Sequence, residues 1–189
     1  MNIENSASET YLELLIPEAA IAERIQEIAK ALNEEYEGKE LVIVTILKGS
    51  VCLIADLIRQ LKVSSTIEFV RCSSYGHLGS VRGRLKIAGI DGLNIEGKHI
   101  LVVDDIFDSG HTLAAVCAKL NEYKPLTMKA LVLLSKRVPR KIPFHPNFVL
   151  FEIEDRFVVG YGLDYKERFR GLPGVFALLL ENLPKHVAE

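Results

Sequence analysis

Two adjacent carboxylates, Asp104 and Asp105, end an apolar run, Ile100-Leu101-Val102-Val103, and a third, Asp108, follows three residues later. Next comes Ser109-Gly110-His111-Thr112-Leu113, a turn with hydroxyls and a glycine that opens a helical pattern. In open α/β sheets, ligands bind beyond the carboxyl ends of the strands. A helix start there presents unpaired backbone N–H groups and the positive end of the aligned peptide dipoles. The hydroxyls of Ser109 and Thr112 add donors, and Gly110 lets the backbone approach an anion closely. This pattern predicts a phosphate seat from Ser109 to Thr112. Three carboxylates beside such a seat repel an anion unless they have separate tasks. Accepting hydrogen bonds from ribose hydroxyls and holding Mg²⁺ are two tasks that fit. Together the groups describe a site for a ribose 5-phosphate. A helix cap would account for one of the acids, not for three.

The elements that must hold these residues are legible as patterns. Ile21, Ile25, Ile28 and Leu32 recur at steps of four and three, which predicts a helix from Pro17 to Tyr36 with one apolar face. Pro17 suits a first turn, and Gly38 sits where helices stop. Leu41 to Leu47 is continuously apolar and β-branched, as in a strand buried on both faces. Lys48-Gly49-Ser50 interrupts it before a second helix, Val51 to Leu61. Further strands are expected at Thr66–Cys72, His99–Val103, Met128–Leu134, Phe148–Ile153 and Val158–Tyr161, with a helix from Thr112 to Tyr123. Between Ser73 and Arg84 lie three glycines and no periodicity, which predicts a long mobile loop. Strands alternating with helices indicate an α/β fold with a mainly parallel sheet flanked by helices. No repeat, linker or low-complexity tract divides the chain, so one domain is expected over residues 1–189.

Composition narrows the function classes. With 189 residues, 49% hydrophobic and 25% charged, the chain has the make-up of a folded globular protein rather than a disordered one. Its 23 basic and 25 acidic residues leave a formal charge of -2, which argues against a surface built to neutralise nucleic-acid phosphates. The apolar runs are far shorter than the roughly 20 residues of a membrane helix. Met1-Asn2-Ile3-Glu4-Asn5 lacks the basic start and apolar core of a secretion signal. The expectation is a cytoplasmic protein with no membrane or nucleic-acid partner. Cys52, Cys72 and Cys117 are odd in number and widely spaced, which predicts buried free thiols in a reducing compartment. The five histidines show no zinc-ligand spacing. Gly92-Leu93-Asn94-Ile95-Glu96-Gly97-Lys98 imitates a phosphate-binding loop. His99 stands where Ser or Thr is required, however, and a strand follows in place of a helix, so a turn is expected.

The Asp104–Leu113 stretch resembles the phosphoribosyl-pyrophosphate signature of the type I phosphoribosyltransferases. The resemblance extends in family order through Leu47-Lys48-Gly49-Ser50, Ser73-Ser74-Tyr75-Gly76, Ser135-Lys136-Arg137-Val138-Pro139-Arg140 and the segment from Asp155 to Arg170, from about residue 40 to residue 175. That last segment is similar to the hypoxanthine-guanine branch in particular. Asp104 stands where the family usually has Glu, and Ser50 where Gly is common. The resemblance implies the type I phosphoribosyltransferase fold, with a small hood formed by both chain ends and a flap at about residues 73–84.

It also implies a reaction: Mg²⁺-dependent transfer of a 5-phosphoribosyl group from phosphoribosyl pyrophosphate to N9 of hypoxanthine or guanine. A xanthine-guanine enzyme and an RNA-binding attenuation regulator on the same fold are the alternatives. By the same resemblance, Asp104 and Asp105 engage the ribose hydroxyls and the metal, Asp164 joins the metal site, and Asp108 is the catalytic group near purine N7. Ser109, Gly110, His111 and Thr112 hold the 5-phosphate. Lys48, Gly49 and Arg170 bind pyrophosphate, and Ser74 and Tyr75 begin the flap. Lys136 donates to the exocyclic purine oxygen, Phe157 stacks on the ring, and backbone near Val158 and Asp164 reads its edge. Taken singly, Lys136 reads as a strand-end lysine, Phe157 as core, and Asp164 with Arg170 as an exposed ion pair. A dimer or tetramer is the implied assembly.

Overall fold

A computed structural model describes residues 11–75, 84–140, 142–184 and 187 of the protein. Strand β1 (Leu12–Ile16) leads into α1 (Glu18–Glu35), β2 (Leu41–Leu47), α2 (Val51–Gln60), β3 (Ser65–Tyr75) and β4 (Arg84–Ala88). Then follow β5 (His99–Phe107), α3 (His111–Asn121), β6 (Thr127–Lys136), β7 (Phe148–Ile153), β8 (Val158–Val159) and β9 (Val175–Leu178). Six strands form one sheet in the order β4-β3-β2-β5-β6-β7, parallel except for the β3–β4 pair. A separate three-stranded sheet has the order β1-β9-β8 and is antiparallel.

Each face of the large sheet has its own apolar layer. Ile21, Ile25, Ile28 and Leu32 of α1 and Leu53 and Leu57 of α2 bury against Ile43, Leu101 and Leu133 on one face. Leu113, Val116 and Leu120 of α3 cover Val44, Val102 and Val132 on the other. Successive strand residues alternate between faces, so strands covered on both sides must be largely apolar, as β2 is apart from the buried Thr45. The chain runs from β2 to β3 on one side and returns to β5 on the other. The carboxyl ends of β2 and β5 therefore flank a topological switch point, where such sheets bind ligands. No helix among the described residues is long and apolar enough to cross a membrane.

The structure corrects several sequence expectations. Ser73, Ser74 and Tyr75 belong to β3 and Arg84 to β4, with Tyr75 opposite Arg84 in register, so these residues are ladder and not loop. Residues 76–83, the rest of the expected flap, lie outside the described residues. Strand β5 does not stop at Val103 but continues through both aspartates to Phe107, held by pairing with β6. Strands β1, β4 and β9 had no forecast. All three cysteines are free, but Cys52 and Cys72 are only half-buried, and Cys117 alone is buried.

Candidate active site

Four segments converge on the carboxyl edge of the large sheet. After β2 the peptide between Leu47 and Lys48 is cis, and Gly49 is buried beneath Asp105. A Cβ at Gly49 would lie 1.5 Å from Asp105 Oδ2, so only glycine lets the β2 turn and the β5 carboxylate meet. Asp104 is buried, and its Oδ1 accepts a hydrogen bond from the Asp105 N–H at 3.0 Å. Asp105 Oδ1 accepts from the Ile106 N–H at 2.8 Å. Burial raises the Asp104 carboxyl well above the usual range, and the neighbouring Asp105 charge adds to the rise. Asp105 is also raised by burial, with hydrogen bonds and the nearby Arg170 charge working against the shift. Among the described residues Asp104 has no ion-pair partner. Such an acidic pair, one member buried and the other half-buried, favours either a proton or an added cation.

Helix α3 starts directly beyond β5. Its N-cap is Gly110 with φ 81°, and no side chain caps the helix. Asp108 and Ser109 are therefore not spent on capping. A Cβ on Gly110 would also press on Phe107 Cε2 at 2.9 Å. Gly110 is buried, Ser109 and Thr112 are half-buried, and Asp108 and His111 are exposed. The first N–H groups of α3 thus open at the switch point, as an anion seat requires.

Two neighbouring cavities record which expected residues meet. Lys48, Gly49, Asp104, Asp105 and Thr112 share one of about 300 Å³. Lys48, Gly49, Asp105, Asp164 and Arg170 share the other, of about 560 Å³. A larger groove, about 860 Å³, lies at the opposite edge of the sheet among Lys30, Glu34, Lys39 and Glu40. Its mixed, solvated charges carry no comparable constellation.

Arg170 Nη1 donates to the Gly162 carbonyl at 2.7 Å, and Nη2 pairs with Asp164 Oδ1 at 2.8 Å. Lys136, at the end of β6, has a side chain only 12% exposed; its Nζ lies 2.9 Å from Asp155 Oδ1 and 3.9 Å from Asp108 Oδ2. Phe157 is 44% exposed and meets Tyr165 edge-to-face at 5.7 Å, which leaves ring surface open. Val158, next in the chain, is buried in β8. Ser74 and Tyr75 take their place in β3, beside Leu85 and Arg84.

Sequence reading missed three contributors. Asp155 is the nearer partner of Lys136. Arg140 Nη2 donates to Ser135 Oγ at 2.8 Å and to the Lys136 carbonyl at 2.7 Å, while its guanidinium stacks 4.5 Å from the Phe107 ring centre. Glu167 bridges Lys48 and Arg170. Asp155 and Arg140 stood within the quoted motifs but carried no local mark of a role.

Adjacent carboxylates and an uncapped helix start at a switch point, with Lys48 and Arg170 gathered across them, are the arrangement that the sequence motifs anticipate. The chain belongs to the phosphoribosyl transferase domain family, which matches residues 15–166. Within that class it is 41% identical over 166 residues to a hypoxanthine-guanine phosphoribosyltransferase of Aquifex aeolicus, covering 87% of this chain and 93% of that protein. It is 39% identical over 171 residues to a hypoxanthine phosphoribosyltransferase of Escherichia coli, covering 89% and 96%. A solved hypoxanthine phosphoribosyltransferase from Staphylococcus aureus superposes with a TM-score of 0.86 at 37% identity, covering 94% of this chain and 97% of that one. The expected fold and branch are therefore borne out.

Proposed function

We propose that this protein salvages purines by transferring the 5-phosphoribosyl group of phosphoribosyl pyrophosphate to N9 of hypoxanthine or guanine, forming IMP or GMP and pyrophosphate. The observation that carries the reading is the Lys136–Asp108 pair, 3.9 Å apart beside the α3 start. A 6-oxopurine presents an exocyclic oxygen next to N7. An ammonium beside a carboxylate matches that edge, one donating and one accepting. Kinship to enzymes named for hypoxanthine and guanine favours this over a xanthine-guanine enzyme or an RNA-binding regulator.

In this reading the residues at 109–112 hold the 5-phosphate, and Phe157 stacks on the base with Val158 and Asp164 backbone at its edge. Asp108 holds or accepts the N7 proton and so frees N9 for attack at C1. Lys48 and Arg170 meet charge as it grows on the leaving pyrophosphate. Asp104, Asp105 and Asp164 would hold Mg²⁺, which supplies further positive charge there when bound. No three-acid cluster able to hold a metal alone occurs among the described residues. Mg²⁺ commonly takes only one or two carboxylates directly and completes its shell with water and substrate oxygens, so the three aspartates would not all bind it directly. We also infer a cytoplasmic homo-oligomer built from a single domain, with the β1-β9-β8 sheet as its hood. Steady-state assays with hypoxanthine, guanine and xanthine, each with phosphoribosyl pyrophosphate and Mg²⁺, test the reading. Nucleotide formation from hypoxanthine or guanine is the expected result, and activity on xanthine alone or on none would overturn it.

A further inference from the structure

Glu167 is an acidic group that the proposed mechanism leaves unused, and it lies between two of the cations that the mechanism uses. Its Oε2 lies 2.8 Å from Lys48 Nζ and its Oε1 lies 3.2 Å from Arg170 Nη2. One carboxylate thus spans a cation three residues along the chain, Arg170, and one 119 residues away, Lys48. Both cations hold its carboxyl below the usual range. The backbone beneath is fixed: the Glu167 N–H donates to Asp164 Oδ2 at 2.8 Å, in a tight turn closed by Tyr165 and Arg168. The side chain is held by these two ion pairs and is 66% exposed. It can swing into water at little cost, while Arg170 keeps its Asp164 partner. Four basic and three acidic side chains line this cavity, so loss of the Glu167 charge raises the positive excess from one to two.

We propose that Glu167 is an affinity-setting residue, an internal carboxylate that competes with the pyrophosphate group for Lys48 and Arg170. This rests on the pyrophosphate role given to those two cations above. The bound anion must displace the Glu167 carboxylate, and on product release the carboxylate returns. Binding of the diphosphate is thereby weaker than two unengaged cations would give, and its departure is eased.

Glu167→Gln removes the charge and keeps the length. Glu167→Asn is a second variant suited to the left-handed backbone at this residue, φ 62°. Inhibition by inorganic pyrophosphate and the KM values for phosphoribosyl pyrophosphate and for the base are measured for both variants and the parent enzyme. From the loss of two exposed ion pairs, inhibition by pyrophosphate should strengthen roughly two- to twenty-fold and the phosphoribosyl-pyrophosphate KM should fall by a similar factor, with the base KM unchanged. A higher phosphoribosyl-pyrophosphate KM in both variants would mean that Glu167 holds the cations in place, and no change would mean an inert surface pair. Either result overturns the proposal while leaving the enzyme assignment intact. A parent protein that forms no nucleotide and does not respond to pyrophosphate would overturn both.

Discussion

Replacing Lys136 with Met separates a base-binding ammonium from a structural one. Methionine keeps the apolar stem that packs beneath the end of β6 and removes the charge. The Lys136 side chain is 12% exposed, whereas its partners Asp155 and Asp108 are 67% and 54% exposed. Without the ammonium, both carboxylates can turn to water. The folding penalty is therefore that of a largely exposed pair, about 1 kcal/mol or less. Binding is affected differently, because a base seated there loses a charge-assisted hydrogen bond in a sheltered position, about 1.5–3 kcal/mol. At about 1.4 kcal/mol per tenfold, that is roughly a ten- to 150-fold loss of base affinity. The assay is the base KM at saturating phosphoribosyl pyrophosphate, read beside the phosphoribosyl-pyrophosphate KM and a thermal melt. The expected variant has a strongly raised base KM, a nearly unchanged phosphoribosyl-pyrophosphate KM and a modest fall in Tm. Unchanged base affinity with a lowered Tm would refute the placement and leave Lys136 as a clamp between two aspartates.

Asp108→Asn keeps shape but loses proton transfer, so kcat should fall by about 10²–10⁴-fold, with a much smaller change in the phosphoribosyl-pyrophosphate KM; near-normal turnover would contradict its role. Gly49→Ala sets a methyl 1.5 Å from Asp105 Oδ2, so Asp105 must shift; chemical denaturation should show a loss of about 1–3 kcal/mol, and activity should collapse with it. Burial and the Asp104 charge push the Cys72 thiol up to about 11 and the Cys117 thiol up to about 12. Both should therefore stay protonated through pH 9, and iodoacetamide labelling of the native protein at pH 8 should be slow at each and rapid after unfolding. Fast native labelling of Cys117 would show that its cover opens readily.

The sequence exposed those parts of the fold whose cause is local. Strands β2 and β7 have the bounds their apolar runs predict, because Lys48-Gly49 ends one and polar residues flank the other. Strand β5 was foreseen too short. Two adjacent aspartates look like a strand ending, and only the ladder to β6, with Asp104 opposite Val132, keeps the backbone extended. Strand β4 is charged and half-exposed, and exists because β3 pairs with it. The passage from strand through Asp104, Asp105 and Gly110 to a helix start was legible because strand, acids, glycine and helix start are contiguous. The partners of Lys136 and Lys48 were not, since Asp155 and Glu167 reach them across 19 and 119 residues.

The small sheet has a consequence for the order in which the molecule is made. Strand β9 pairs with β1 on one side and with β8 on the other, and the Leu178 N–H donates to the Phe157 carbonyl at 2.8 Å. The Leu179 N–H reaches back to the Tyr11 carbonyl at 2.9 Å. Every strand of the large sheet precedes residue 154, so that sheet and the turn before α3 can assemble from a nascent chain as synthesis proceeds. The wall carrying Phe157 cannot, because the strand that ties it down emerges some twenty residues later. A chain stalled ahead of Val175 would own the turn from Asp104 to Thr112 but lack the strand that braces Phe157. Translation itself thus delays closure of the small sheet until β9 has met β1 and β8.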